Sequence, residues 1–94
     1  ELARSLLDSG IHAMKIWPLD EIGICNRGQF LTKHELREGL EPLRLIKQEF
    51  GDDMDVAMEF HGYWNLASAI QIAQACEQYE PMWLEEMLPQ DNME

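Results

Sequence analysis

The sequence has 94 residues, 46% of them hydrophobic, enough for one small core or for a slice of a larger domain. Its 18 acidic and 7 basic residues leave a net charge of -11, which argues against a nucleic-acid partner, since phosphate backbones need clustered Lys and Arg. No apolar run approaches the roughly 20 residues that cross a bilayer, and ELARSLLDSG lacks a basic start followed by an apolar segment, so a soluble, cytoplasmic chain with no membrane partner is expected.

Residues 1 to 9 carry Leu2, Leu6 and Leu7 at helical spacing and stop at Gly10, a residue favoured just past a helix C-terminus. IHAMKIW, residues 11 to 17, is short, mostly apolar and stopped by Pro18. It predicts a buried strand with Ile11, Ala13, Lys15 and Trp17 on one face. PLDEIGICNRGQFL, residues 18 to 31, has no period and two glycines, and is expected to be a long loop covering the strand ends. Connections beyond about 12 residues are often lids or binding loops. Asp20, Asn26 and Arg27 are its candidate substrate contacts, Arg27 first because its fork fits a carboxylate in two bonds.

Thr32 and Glu35 form a T-x-x-E capping box for a helix with Leu36 and Leu40 on one side. Pro42 is welcome only in a first turn, so this helix hands over near Gly39 to a second, residues 41 to 50. After a turn at Gly51, Asp52 and Asp53, DVAMEF gives a second strand. Val56, Met58 and Phe60 face helices; Asp55, Ala57 and Glu59 face the other way. Asn65 caps a helix through Tyr79 in which Leu66, Ala69, Ile70, Ala73 and Cys76 share a face. PMWLEE gives a third strand with Met82 and Leu84 toward the helices and Trp83 and Glu85 opposite. Met14, Met58 and Met82 are read as the layer between strands and helices. Cys25 and Cys76 lack the spacing of zinc sites and are read as free thiols in a reducing compartment.

Alternating helices and strands imply a parallel α/β sheet. One strand face repeatedly carries small or polar residues (Ala13, Lys15, Ala57, Glu59, Glu85), which fits a closed (β/α)8 barrel better than an open doubly wound sheet. The active site of such a barrel lies at the C-terminal rim of its strands. Lys15, Glu59, His61, Glu85 and Glu86 all fall there, and two carboxylates side by side at that edge would make half of a divalent-metal site.

The ordered set K-I-W at 15 to 17, E-F-H-G at 59 to 62 and W-L-E-E-M at 83 to 87 resembles the enolase superfamily, in particular its mandelate racemase and muconate lactonizing branch with the acid-sugar dehydratases. Barrels of that family end their second strand with K-x-K or a related motif, their third with D-x-N or D-x-H, and their fourth with W-I-E-E-P. The 26 positions from Glu59 to Glu85 match the spacing of that family's first two metal ligands. The resemblance covers the whole sequence and implies a fragment of a catalytic barrel domain, from the end of its first helix through its fourth strand, with the N-terminal capping domain and strands five to eight lying elsewhere.

It further implies that Glu59 and Glu85 are two of three carboxylate ligands to Mg²⁺, which stabilises the enediolate formed when a proton is lost alpha to a carboxylate. His61 corresponds to the histidine of D-x-H, which donates a proton to departing hydroxide. Lys15 corresponds to the first lysine of K-x-K and orients or neutralises the substrate carboxylate, or else forms a structural ion pair. Trp17 stands where the second lysine, the usual base, would be and lines the substrate site. Tryptophan cannot take a proton, so the resemblance points to dehydration of a sugar acid with its base on a later strand. The alternatives are a racemase, epimerase or cycloisomerase on the same scaffold, or a noncatalytic acidic interaction module. A homo-oligomer is expected for the full-length protein, and the isolated 94-residue piece is expected to be inactive. Glu59 replaces the common aspartate, moving its carboxylate by about 1.5 Å, one C–C bond, and Met87 replaces the usual proline. His12 and His34 are assigned no role.

Overall fold

The computed structural model describes residues 2–89. Its elements run α1 (Leu2–Asp8), β1 (Ala13–Ile16), α2 (Asp20–Asn26), α3 (Lys33–Gly39), α4 (Glu41–Phe50), β2 (Asp55–Glu59), α5 (Leu66–Cys76) and β3 (Leu84–Glu85), with single 3₁₀ turns at Gly51–Asp53 and Glu77–Tyr79. The three strands form one parallel sheet in the order β1-β2-β3. Lys15 pairs with Ala57 and Ile16 with Met58, while Met58 pairs with Leu84 and Glu59 with Glu85. Parallel neighbours in this register end at the same edge, so Lys15, Glu59 and Glu85 are brought together by topology alone.

The central strand carries the core. Val56, Met58 and Phe60 are fully buried, against Leu43, Ile72, Cys76 and Trp64. Burial pushes the Cys76 thiol up to about 11, which keeps it protonated and inert, whereas Cys25 is exposed; neither is in a disulfide. No helix among the described residues is long and apolar enough to cross a membrane.

The local signals are realised. The Thr32 side chain accepts from the Glu35 amide at 3.0 Å and the Glu35 carboxylate accepts from the Thr32 amide at 2.9 Å, a complete capping box. Asn65 caps α5 by accepting from the Ser68 amide at 2.8 Å. Thr32→Ala is expected to cost about 1 kcal/mol in urea unfolding. The bond from the Thr32 amide holds the Glu35 carboxyl below its usual value of 4.5. That contribution is therefore present above pH 4.5 and drains as pH falls through the lower folded value, so the difference between wild type and Glu35→Gln should narrow in acid.

Four expectations are corrected. Residues 18 to 31 are not a bare loop, because Asp20–Asn26 is helical: Leu19 is 1% exposed, Ile22 packs on the core, and Arg27 closes the helix in the left-handed conformation. The buried stripe of α5 is Ser68, Ala69, Ile72 and Cys76, while Leu66 and Ile70 are exposed. The helix is rotated so that Ile72, and not Ile70, meets the sheet. Regular α-helix stops at Cys76 and tightens into a 3₁₀ turn before Glu80 reverses the chain. The third strand is short, and Met82 is 39% exposed, so it drops out of the packing layer that Met58 and partly buried Met14 do form.

Candidate active site at the strand ends

Lys15 leaves β1 between two carboxylates. Its Nζ lies 3.4 Å from Glu59 Oε1 and 3.5 Å from Glu85 Oε1. Glu59 is 4% exposed, a charge that needs partners. Burial alone would raise its carboxyl, but the His61 backbone N–H, donating to Oε2 at 3.2 Å, and the Lys15 ammonium outweigh it and hold the group below the usual carboxylate range. Lys15 is correspondingly pushed above its usual value, first by Glu59, with desolvation opposing and Glu85 adding. Glu85 is more open and takes a second bond, from Trp83 Nε1 at 3.0 Å.

His61, two positions after Glu59, does not continue that residue's strand face. The strand ends at Glu59, and His61 sits in the left-handed region at φ 56°. His is among the side chains that tolerate that conformation. The turn delivers its ring to α2, where Nδ1 lies 2.7 Å from Asp20 Oδ2. Trp17 and Tyr63 flank the ring edge-on, with centroids 6.3 and 6.4 Å away.

Asp20, one of the candidate substrate contacts, is hydrogen-bonded to His61, and its other oxygen, Oδ1, is buried with no donor in reach among the described residues. An unpaired buried acceptor costs about 1–3 kcal/mol. Asn26 is also used internally, donating to the Phe30 carbonyl at 2.9 Å and to Glu35 Oε1 at 3.2 Å. Arg27 is exposed, and among the described residues no hydrogen bond or ion pair joins its guanidinium to the strand-end group. Trp17, 56% exposed, stays at the mouth beside His61. His12 and His34 lie off the site, contacting the Asp53 carbonyl and Glu38.

The segment that follows α2 is tied to the start of α5. The Gly28 carbonyl accepts from the Asn65 amide at 2.8 Å, and the Gln29 carbonyl accepts from Asn65 Nδ2 at 2.9 Å. Asn65 thus caps α5 with its side-chain oxygen and holds the Gly28–Gln29 segment with its backbone N–H and its side-chain amide nitrogen. Met87, where a proline was the expected residue, is partly buried on the core and its carbonyl accepts from the Trp64 amide at 3.3 Å.

Across the whole sequence, residues 1–94, the chain matches the family model described as enolase C-terminal domain-like. The protein belongs to the enolase superfamily. Among solved structures, this enolase-superfamily chain is similar to a mandelate racemase subgroup enolase from Agrobacterium tumefaciens, at 44% identity and a TM-score of 0.94 over 97% of this chain and 25% of that one. It is similar also to a mandelate racemase/muconate lactonizing enzyme-like protein from Rubrobacter xylanophilus, at 26% identity and a TM-score of 0.83 over 97% of this chain and 24% of the other. The D-gluconate dehydratase of Thermoproteus tenax is 31% identical over 94 residues, all of this chain and 18% of that protein. The chain therefore spans about a quarter or less of these relatives. The three-stranded parallel sheet with its helices is a part of the enolase-type barrel.

Whether a divalent cation fits can be judged from the donors of this superfamily chain. Glu59 and Glu85 are hard oxygen donors paired across adjacent strands, and one ammonium lies within 3.5 Å of both. A site that already gathers positive charge between two carboxylates suits Mg²⁺, which takes one or two protein carboxylates and keeps waters. Among the described residues no group of three or more potential ligands converges, so this sheet edge offers a pair. Lys15→Met should consequently lower the melting temperature of the metal-free full-length protein. A divalent cation held by the same two carboxylates would raise the variant's melting temperature more than the wild type's, by standing in for the lost ammonium.

Proposed function

We propose that the full-length protein is a Mg²⁺-dependent dehydratase of a sugar acid, an aldonate or aldarate, and that residues 15 to 86 supply two of its metal ligands and its proton donor. The observation that carries this reading is the cluster at one sheet edge, where Lys15 Nζ lies within 3.5 Å of both Glu59 and Glu85 and the His61 backbone N–H donates to Glu59. It is supported by the 31% identity to a protein named D-gluconate dehydratase.

Glu59 and Glu85 would hold the cation. When bound there, it would supply positive charge to offset the negative charge that develops on the substrate's carboxylate oxygens as the alpha proton leaves. The base for that proton would come from a later strand, since the Trp17 indole, whose nitrogen lone pair is part of the ring π system, cannot serve as a base. Lys15 neutralises the carboxylate charge of the site and orients the carboxylate of the substrate. The His61 imidazolium gives its proton to the departing hydroxyl as the C–O bond breaks, so that water leaves and the ring becomes neutral. Trp17 presents an apolar wall beside His61, against which the C–H face of a sugar chain packs.

The test is product analysis by NMR after incubating the full-length protein with Mg²⁺ and a panel of hexonates and aldarates. A 3-deoxy-2-keto acid is the expected product. Stereoisomers alone would replace this reading with racemisation or epimerisation on the same scaffold.

A further inference from the structure

His61 is held from three sides. Its backbone N–H is fixed by Glu59 Oε2 at 3.2 Å, its backbone is bent into the left-handed region, and its ring stands between Trp17 and Tyr63. These contacts fix where the ring is but not which nitrogen bears hydrogen. Only Asp20 can decide that. An ionised carboxylate is acceptor-only, so at 2.7 Å it requires the hydrogen on Nδ1 and leaves Nε2 as the other end of the ring. Among the described residues Nε2 has no hydrogen-bond partner.

Asp20 is not placed there by packing convenience. Oδ2 is given to His61 while Oδ1 is buried without a donor, an arrangement that a purely structural acid on an exposed helix would relieve by turning outward. The helix that carries it is pinned at both ends, by Leu19 in the core and by the Asn65 bonds to Gly28 and Gln29. The acid is thus aimed by the α2 segment, 41 positions before the histidine it meets.

We infer that Asp20 is the positioning residue for His61, holding its ring in the Nδ1–H form so that Nε2 is the nitrogen that delivers a proton to the substrate. The step balances with the mechanism above. The proton leaves Nε2 as the C–O bond breaks, water departs, and the neutral ring that remains is the tautomer the carboxylate holds. The catalytic part of this inference rests on the dehydratase reading; the orientation of the ring does not.

The test uses full-length protein labelled with ¹⁵N-histidine, the His61 ring signals being assigned by their loss in His61→Asn. At about pH 8.5, above the ordinary histidine range, the wild-type ring should be in the Nδ1–H form. Asp20→Ala and the near-isosteric Asp20→Asn should both lower the fraction of that tautomer. In the same variants kcat should fall by about 10-fold or more, by analogy with the loss on removing a hydrogen-bond partner that orients a metal-ligating histidine, with KM changed by less than about threefold. An unchanged tautomer in both variants overturns the inference. A changed tautomer with unchanged kcat overturns its catalytic part. If the wild type forms no 3-deoxy-2-keto acid, the dehydratase reading fails, and the ring spectra alone decide whether Asp20 orients His61.

Discussion

Gly28→Ala is expected to destabilise the full-length protein by about 3 kcal/mol or more, read as a fall in urea midpoint, the size reserved for backbone clashes and buried defects. Gly28 sits at φ 68°, where an alanine alone loses about 1–2 kcal/mol. The larger problem is space. A Cβ there would lie 1.5 Å from the Tyr63 carbonyl oxygen and 2.6 Å from its carbon, and backbone cannot give way as a flexible side chain can. The strap must therefore lift, breaking the bonds from Asn65 to Gly28 and Gln29. Because α2 is on the other side of that strap, Asp20 should retreat from His61 as well. Hydrogen exchange should show faster exchange at the Asn65 amide, and a variant that unfolds at the wild-type midpoint would contradict this account of the Gly28 strap.

The second large effect is on chemistry. Glu59→Gln keeps the shape of the side chain but removes the charge that Lys15 and the His61 N–H answer. Loss of a cation's stabilisation is worth several kcal/mol at the transition state, and each 1.36 kcal/mol is tenfold in rate, so turnover should fall by about 10³-fold or more. Glu85→Gln should have a comparable effect, although Glu85 is more open and also bonded by Trp83. Equality of the two would mark a shared ligand role, since burial differs strongly between them. Steady-state rates of both variants against wild type, on a substrate the wild type turns over, check this; retained turnover in either would remove that residue from the site.

Much of this arrangement was legible in the residues because it is set locally or by topology. The Thr32–Glu35 box, the Asn65 cap and the Pro42 handover are short-range chemistry and appear where their residue types stand. The meeting of Lys15, Glu59 and Glu85 follows from parallel strands ending at one edge. The helix at Asp20–Asn26 was hidden by two glycines, although Pro18 with Asp20 and Glu21 is a helix-start signal, and Gly28 after Arg27 a stop. The rotation of α5 could not be read, because Leu66, Ile70 and Ile72 are equally apolar and only the sheet decides which is covered. The bond between Asp20 and His61 spans two segments whose approach depends on the strap at Gly28, which no periodicity encodes.

The central claim is that Glu59 and Glu85 jointly bind a divalent cation, and calorimetric titration of MgCl₂ into full-length protein stripped with EDTA tests it most directly. Wild type should bind one Mg²⁺ per chain, Glu59→Gln and Glu85→Gln should show no binding heat, and Glu49→Gln, on α4, should titrate as wild type. Wild-type binding retained in both carboxamide variants would contradict it.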